Sequence, residues 1–143
     1  MSDESPHGHS EAYLDRIFGP GMGRRHSAFL DHLGHPDLQD VLHRYHVLED
    51  DETWLSVEDN YLIGLCVLCA QGRFGPAGMF AKTLRHRGVS KQRITEAVRR
   101  LEMWIGGIGA AEAMAVVQRA IRQYDTSGIE SMRDWFPEGG DLG

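Results

Sequence analysis

Residues 55–111 read LSVEDNYLIGLCVLCAQGRFGPAGMFAKTLRHRGVSKQRITEAVRRLEMWIGGIGAA, and their punctuation decides the fold. Ser56 precedes a long apolar run and Asp59 follows it by three places, the spacing of a reciprocal cap at a helix start. Leu62, Leu65, Cys66 and Cys69 then recur at helical spacing, and Ile63, Val67 and Leu68 widen the stripe. A helix so apolar is expected to be buried on most sides. Gly72 and Gly75 stop it, and Pro76 opens the next helix, which runs through Phe80 and Leu84 to Gly88, a residue suited to the left-handed position after a helix. Ser90 caps a third helix with Ile94, Val98, Leu101 and Ile105 facing inward. Gly106-Gly107 permits a bend or the close approach of a neighbour. Residues 108–124 form a last long helix with Ala111, Met114, Val117 and Ile121 on its inner face.

Outside this stretch the pattern is weaker but remains helical. Residues 1–9 hold no core residue and read as a flexible arm. Ser10 stands before Tyr13, Leu14, Ile17 and Phe18, a short helix stopped by Gly19-Pro20. A second short helix is expected around Arg24–Leu33. Pro36 then suits a first helical turn, with Leu38, Val41, Leu42 and Tyr45 at helical spacing. Glu49–Thr53 is an acidic connection. The tail from Thr126 carries Trp135 and Phe136, which either dock on a partner subunit or fray. No strand pattern appears. The expectation is an all-α bundle of about six to seven helices over residues 10–125, with a C-terminal tail from 126 to 143.

With 143 residues, 41% of them hydrophobic, the chain can bury one real core without disulfides. A net charge of −6 argues against a nucleic-acid partner. No apolar run reaches membrane-spanning length, and the N-terminus lacks the pattern of a secretory signal. These readings point to the cytoplasm, where Cys66 and Cys69 would stay reduced.

The order of elements resembles that of the carboxymuconolactone decarboxylase family, with its AhpD-like all-α fold. LSVEDNYLI is similar to that family's helix opening, HRGVSKQRITEAV to its turn and following helix, and WIGGIGAA to its aromatic-glycine element. YLDRIFGPGM and HRYHVLEDDETWL match more loosely, and the likeness covers roughly residues 12–124. The resemblance implies a homotrimer or homohexamer with pockets near subunit contacts. It places a catalytic histidine at Phe80, a nearby carboxylate at Pro76 and a proton-relay glutamate at Tyr61. Phenylalanine and proline move no protons, so the family's histidine mechanism does not transfer. Where the decarboxylase branch keeps an arginine for a substrate carboxylate, this chain has Glu49, Asp50, Asp51 and Glu52. A neutral or cationic, largely apolar substrate is the better expectation.

The remaining polar groups are each open to two readings. Tyr61 either donates a hydrogen bond to a substrate oxygen or packs its ring in the core. His43 and His46 share a helical face; His46 is the stronger candidate for acid–base work because the matching family segment borders the pocket. Arg99 and Glu102 are either an inward polar centre, with Glu102 as base and Arg99 as anion holder, or an exposed ion pair or subunit contact. Leu65, Phe80 and Trp104 are the expected apolar lining, Trp104 as pocket wall or core anchor. His86 reads as structural, and Lys82, Arg85, Arg87, Lys91 and Arg93 as a solvated face. Cys66-Val-Leu-Cys69 invites a thiol-peroxidase reading, yet the pair lies mid-helix, about two turns before the position the resemblance gives it. The alternative is two small core residues.

Three functions follow. The first is an enzyme, a lyase or an isomerase/cyclase, working without cofactor or metal by proton transfer on a small apolar molecule, with Tyr61, His46 and Glu102 as its groups. The second is a non-catalytic small-molecule-binding or oligomeric scaffold protein. The third is a Cys66/Cys69 thiol peroxidase.

Overall fold

A computed structural model of the chain describes residues 8–38 and 55–133. Every regular element among them is an α-helix, and no strand occurs among the described residues. The helices are α1 (Gly8–Phe18), α2 (Met22–His32), α3 (Val57–Ala70), α4 (Phe74–His86), α5 (Lys91–Arg100), α6 (Glu102–Ser127) and α7 (Glu130–Arg133). None is long and apolar enough to cross a membrane. The chain clusters into two compact units, Leu55–Met132 and the residues flanking it on both sides.

In the flanking unit, α1 and α2 pack as a hairpin around Gly19–Gly21. Tyr13, Leu14, Ile17, Met22 and Leu30 are buried, as the spacing of Tyr13, Leu14 and Ile17 predicts for α1. Asp15 Oδ1 accepts from the Gly23 amide at 2.7 Å, satisfying one of the free N–H groups that open α2.

Leu55–Met132 is built around α4, which packs against α3 on one side and α6 on the other. The α4–α6 contact is made of small residues. Ala77, Ala81, Ala113 and Ala120 are buried, and Gly78 faces Ala120 and Val116, so the two backbones lie close. Leu65, Leu84, Ile94, Val98, Val117, Ile121 and Met132 complete the core. The caps lie where the sequence puts them. Ser56 Oγ accepts from the Asp59 amide at 3.0 Å while Asp59 Oδ2 accepts from the Ser56 amide at 3.4 Å, and Ser90 Oγ accepts from the Arg93 amide at 3.1 Å. Gly88 takes φ +86°.

Two expectations are corrected. The helix read as 91–105 ends at Arg100; Leu101 is the joint, and α6 starts at Glu102. The bend offered by Gly106-Gly107 falls on Gly106, at φ +81° and ψ 166°, a conformation open essentially to glycine alone. Residues 102–105 are therefore one turn set at an angle to the long helix that follows. The second correction concerns α3. Only Tyr61, Leu65 and Cys69 on it are buried, so it is covered along one stripe and not on most sides.

The basic run at the ends of α4 and α5 is more than a solvated face. Arg87 Nε pairs with Glu58 Oε1 at 2.9 Å and Arg93 with Asp59 Oδ1 at 2.6 Å, tying α4 and α5 to the start of α3. Arg85 contacts Asp125 Oδ1 at 2.9 Å, and Lys82 Nζ donates to the Ser131 carbonyl at 2.7 Å. These join α4 to α6 and to α7.

Candidate apolar ligand site

Leu62, Ile63, Cys66 and Val67 sit three and four apart, so they share one face of α3. Ala97, Arg100, Leu101 and Trp104 do the same along α5 and across the joint into α6. The two faces meet in a groove of about 390 Å³, lined by these eight residues. Its walls carry one thiol and one guanidinium. The Arg100 guanidinium is turned along its own helix to Glu96, Nε to Oε1 at 3.1 Å, and Arg99 reaches the same carboxylate at 3.6 Å. An apolar cleft of this size is in the range that holds a small organic molecule.

The candidate residues read from the sequence are not gathered around this groove. Tyr61 is 3% exposed, on the covered side of α3, with its ring 5.0 Å from that of Phe80 and tilted by 48°. Phe80, half-buried, leans across α3 at Gly64, where an added Cβ would lie 2.7 Å from its Cε2. At the two positions where the resemblance expects a proton relay and a histidine, the chain thus has an aromatic pair packed over a glycine. Leu65 is fully buried and does not line the groove. Glu102 and Arg99 are both exposed, and Arg99 pairs with Glu96 one turn back on its own helix rather than with Glu102. Trp104 does line the groove, as one wall, while staying largely open to solvent. His46 and His43 lie outside the described residues, as do Trp135 and Phe136.

Leu62, Ile63, Cys66, Val67, Ala97, Arg100 and Leu101 were not read as lining. The signal for them was present in α3: a helix apolar all round has a second face that needs an occupant. Periodicity alone predicts that face to be core, because Leu62, Ile63, Cys66 and Val67 extend the apolar stripe.

The cysteines are both free. Burial pushes the Cys66 thiol up, and burial followed by the neighbouring Cys66 pushes Cys69 up to about 11. Both are thiols at neutral pH, the opposite of what a peroxidatic cysteine needs. His86 Nδ1 lies 2.8 Å from the Tyr124 hydroxyl, half-buried between α4 and α6 and away from the groove, which fits the structural reading. Among the described residues no cluster of three or more His, Cys, Asp or Glu is placed to hold a metal ion.

Compared with protein-family models, with curated proteins and with solved structures, the chain has no match.

Proposed function

We propose that this chain is a divergent carboxymuconolactone decarboxylase-like protein that binds a small, largely apolar organic molecule in the groove between α3 and α5. The observation that carries this reading is the lining: Leu62, Ile63, Val67, Ala97, Leu101 and Trp104 supply the walls, and the one charged lining residue is already paired with Glu96. Transfer of an apolar molecule into such a cleft is favourable by roughly 25 cal/mol for each Å² removed from water. A polar or dicarboxylate ligand would lose its hydration there without replacement hydrogen bonds. Within this reading the protein works in the cytoplasm and assembles as a homotrimer or homohexamer, as the resemblance implies.

Between catalysis and binding, the geometry favours binding. Proton transfer requires an acid or base within hydrogen-bond reach of the ligand. Tyr61 is turned into the core, and Glu102 is not among the groove's lining residues. The lyase or isomerase/cyclase reading then depends on His46 alone.

Titration with Nile red, a neutral dye that brightens in apolar surroundings, tests the site. The wild type is expected to bind the dye saturably. Ala97→Phe, which fills the groove, is expected to weaken binding by at least tenfold, while the triple variant Tyr61→Phe, His46→Ala, Glu102→Gln keeps it. Unchanged dye affinity in Ala97→Phe would remove the groove as the ligand site. Turnover of a ligand that the triple variant loses would restore the catalytic reading.

A further inference from the structure

The groove between α3 and α5 has one charged residue on its walls. Arg100 lines it, yet 77% of the side chain is open to solvent, so the stem follows the apolar wall and the guanidinium stands at the mouth. Its Nε donates to Glu96 Oε1 at 3.1 Å, and among the described residues its two Nη groups meet no acceptor. Arg99 leans on the same carboxylate, Nη1 to Oε2 at 3.6 Å. Two guanidiniums thus stand against one carboxylate, an excess of one positive charge. Glu102 is directed elsewhere: its Oε1 lies 3.5 Å from the place a Cβ on Gly107 would take, and it does not line the groove. An exposed pair between residues four apart on a helix contributes little, so Glu96 is a weak competitor for the Arg100 fork.

We infer that the ligand is an amphiphilic monoanion, with an apolar chain or ring against Leu62, Ile63, Val67 and Leu101 and a single anionic head on the open fork of Arg100. The inference rests on the groove as the ligand site and names the class of molecule it takes. The two parts of the site answer to two parts of the molecule. Along the walls a charge would lose its hydration without replacement, so the body of the ligand is uncharged. At the mouth the parallel N–H donors of the guanidinium match the edge of a carboxylate, and the head keeps part of its water there. A neutral apolar molecule fills the walls but leaves the fork to solvent, and a cation meets like charge. The acidic run Glu49–Glu52, which argues for a neutral or cationic ligand, lies outside the described residues, so Arg100 is the charge that the described groove presents. The chain as a whole carries −6 and does not draw anions at long range; the attraction is local to this mouth.

The test is displacement of Nile red from the full chain by decanoate and by decanol, which share a chain and differ in charge. The ratio of the two affinities is read, so that a general change in the groove cancels. Arg100→Gln is expected to lower the preference for decanoate by roughly threefold or more, the scale of one partly exposed charge-assisted pair. Glu96→Gln, which frees the fork, is expected to raise it. High salt should narrow the difference between wild type and Arg100→Gln, because the contact lies at the mouth and is screened. If Arg100→Gln loses its helical circular dichroism, the sign of the change in Glu96→Gln decides. A ratio that neither variant moves, or that both move in the same direction, overturns the anionic head while saturable Nile red binding keeps the groove. A wild type that does not bind Nile red saturably overturns both.

Discussion

The ring of Phe80 lies 5.0 Å from the ring of Tyr61, and its edge rests on α3 where Gly64 has no side chain. The residue type at 64 and the ring at 80 are thus coupled by contact. Gly64→Ala places a Cβ 2.7 Å from Phe80 Cε2, so the ring must shift from its place against Gly64. The overpacking costs about 1–3 kcal/mol, against a helix-propensity gain of about 1 kcal/mol. Urea denaturation should show a net loss in the wild type and a change of sign in a Phe80→Ala background, where the added methyl meets no ring. Additive effects of the two substitutions would show that they do not touch.

The Gly106 bend makes a sharper prediction. At φ +81° and ψ 166° any L side chain is strained, so Gly106→Ala should cost about 1–3 kcal/mol in thermal or denaturant unfolding. Gly107→Ala is the control. Its Cβ would meet Glu102 Oε1 at 3.5 Å, an ordinary contact, so it should be neutral or stabilising by up to about 1 kcal/mol. Equal costs at the two positions would mean that the turn 102–105 is not held by Gly106.

Acid should loosen the start of α3. Hydrogen bonds from the Ser56 side chain and backbone, followed by Arg93, hold the Asp59 carboxyl below its ordinary value. Burial acts against the charge on Glu58, but a backbone hydrogen bond and then Arg87 keep its carboxyl lowered as well. Both groups ionise at lower pH in the folded chain than in the unfolded one. Each therefore supports the fold above the ordinary carboxylate value, and that support is lost as pH falls through its lowered folded value. Melting temperature plotted against pH should drop on the acid side, and Glu58→Gln with Asp59→Asn should flatten that limb. Ser56→Ala should cost about 1 kcal/mol through the lost cap. An acid limb that the double variant leaves unchanged would place the sensitive carboxyls elsewhere.

The thiols should be sluggish. With both raised by burial, and Cys69 to about 11, alkylation by iodoacetamide at neutral pH should be slower than for an unperturbed thiol and should speed up as the pH is raised. Cys66, which lines the groove, should react before the buried Cys69. Peroxide consumption should be the same in the wild type and in each Cys→Ser variant. A drop in either variant would bring back the peroxidase reading.

Much of the helical order was legible because it rests on local chemistry. Ser56 with Asp59, Ser90 before Lys91 and Gly88 after His86 each act within a turn of chain, so residue type and spacing suffice to place the helix ends. The all-α class follows from the same periodicity. The site was less legible. Its lining comes from α3, α5 and the first turn of α6, and the sequence does not say which of two apolar faces on α3 meets α4.

Taken alone, the sequence determined the all-α class, the caps at Ser56 and Ser90, and that α3 is too apolar to stand in water on its own, while α7 falls in the stretch it reads as tail. Only the tertiary structure decided which stripe of α3 goes inward. Tyr61, Leu65 and Cys69 point to the core, where Tyr61 meets Phe80 over Gly64, while Ile63 and Val67 are left facing out beside Trp104. The physical reason is that helix propensity and capping act over about four residues, whereas the buried face is set by packing against residues distant in the chain, here Phe80 of α4 lying over Gly64 and against Tyr61.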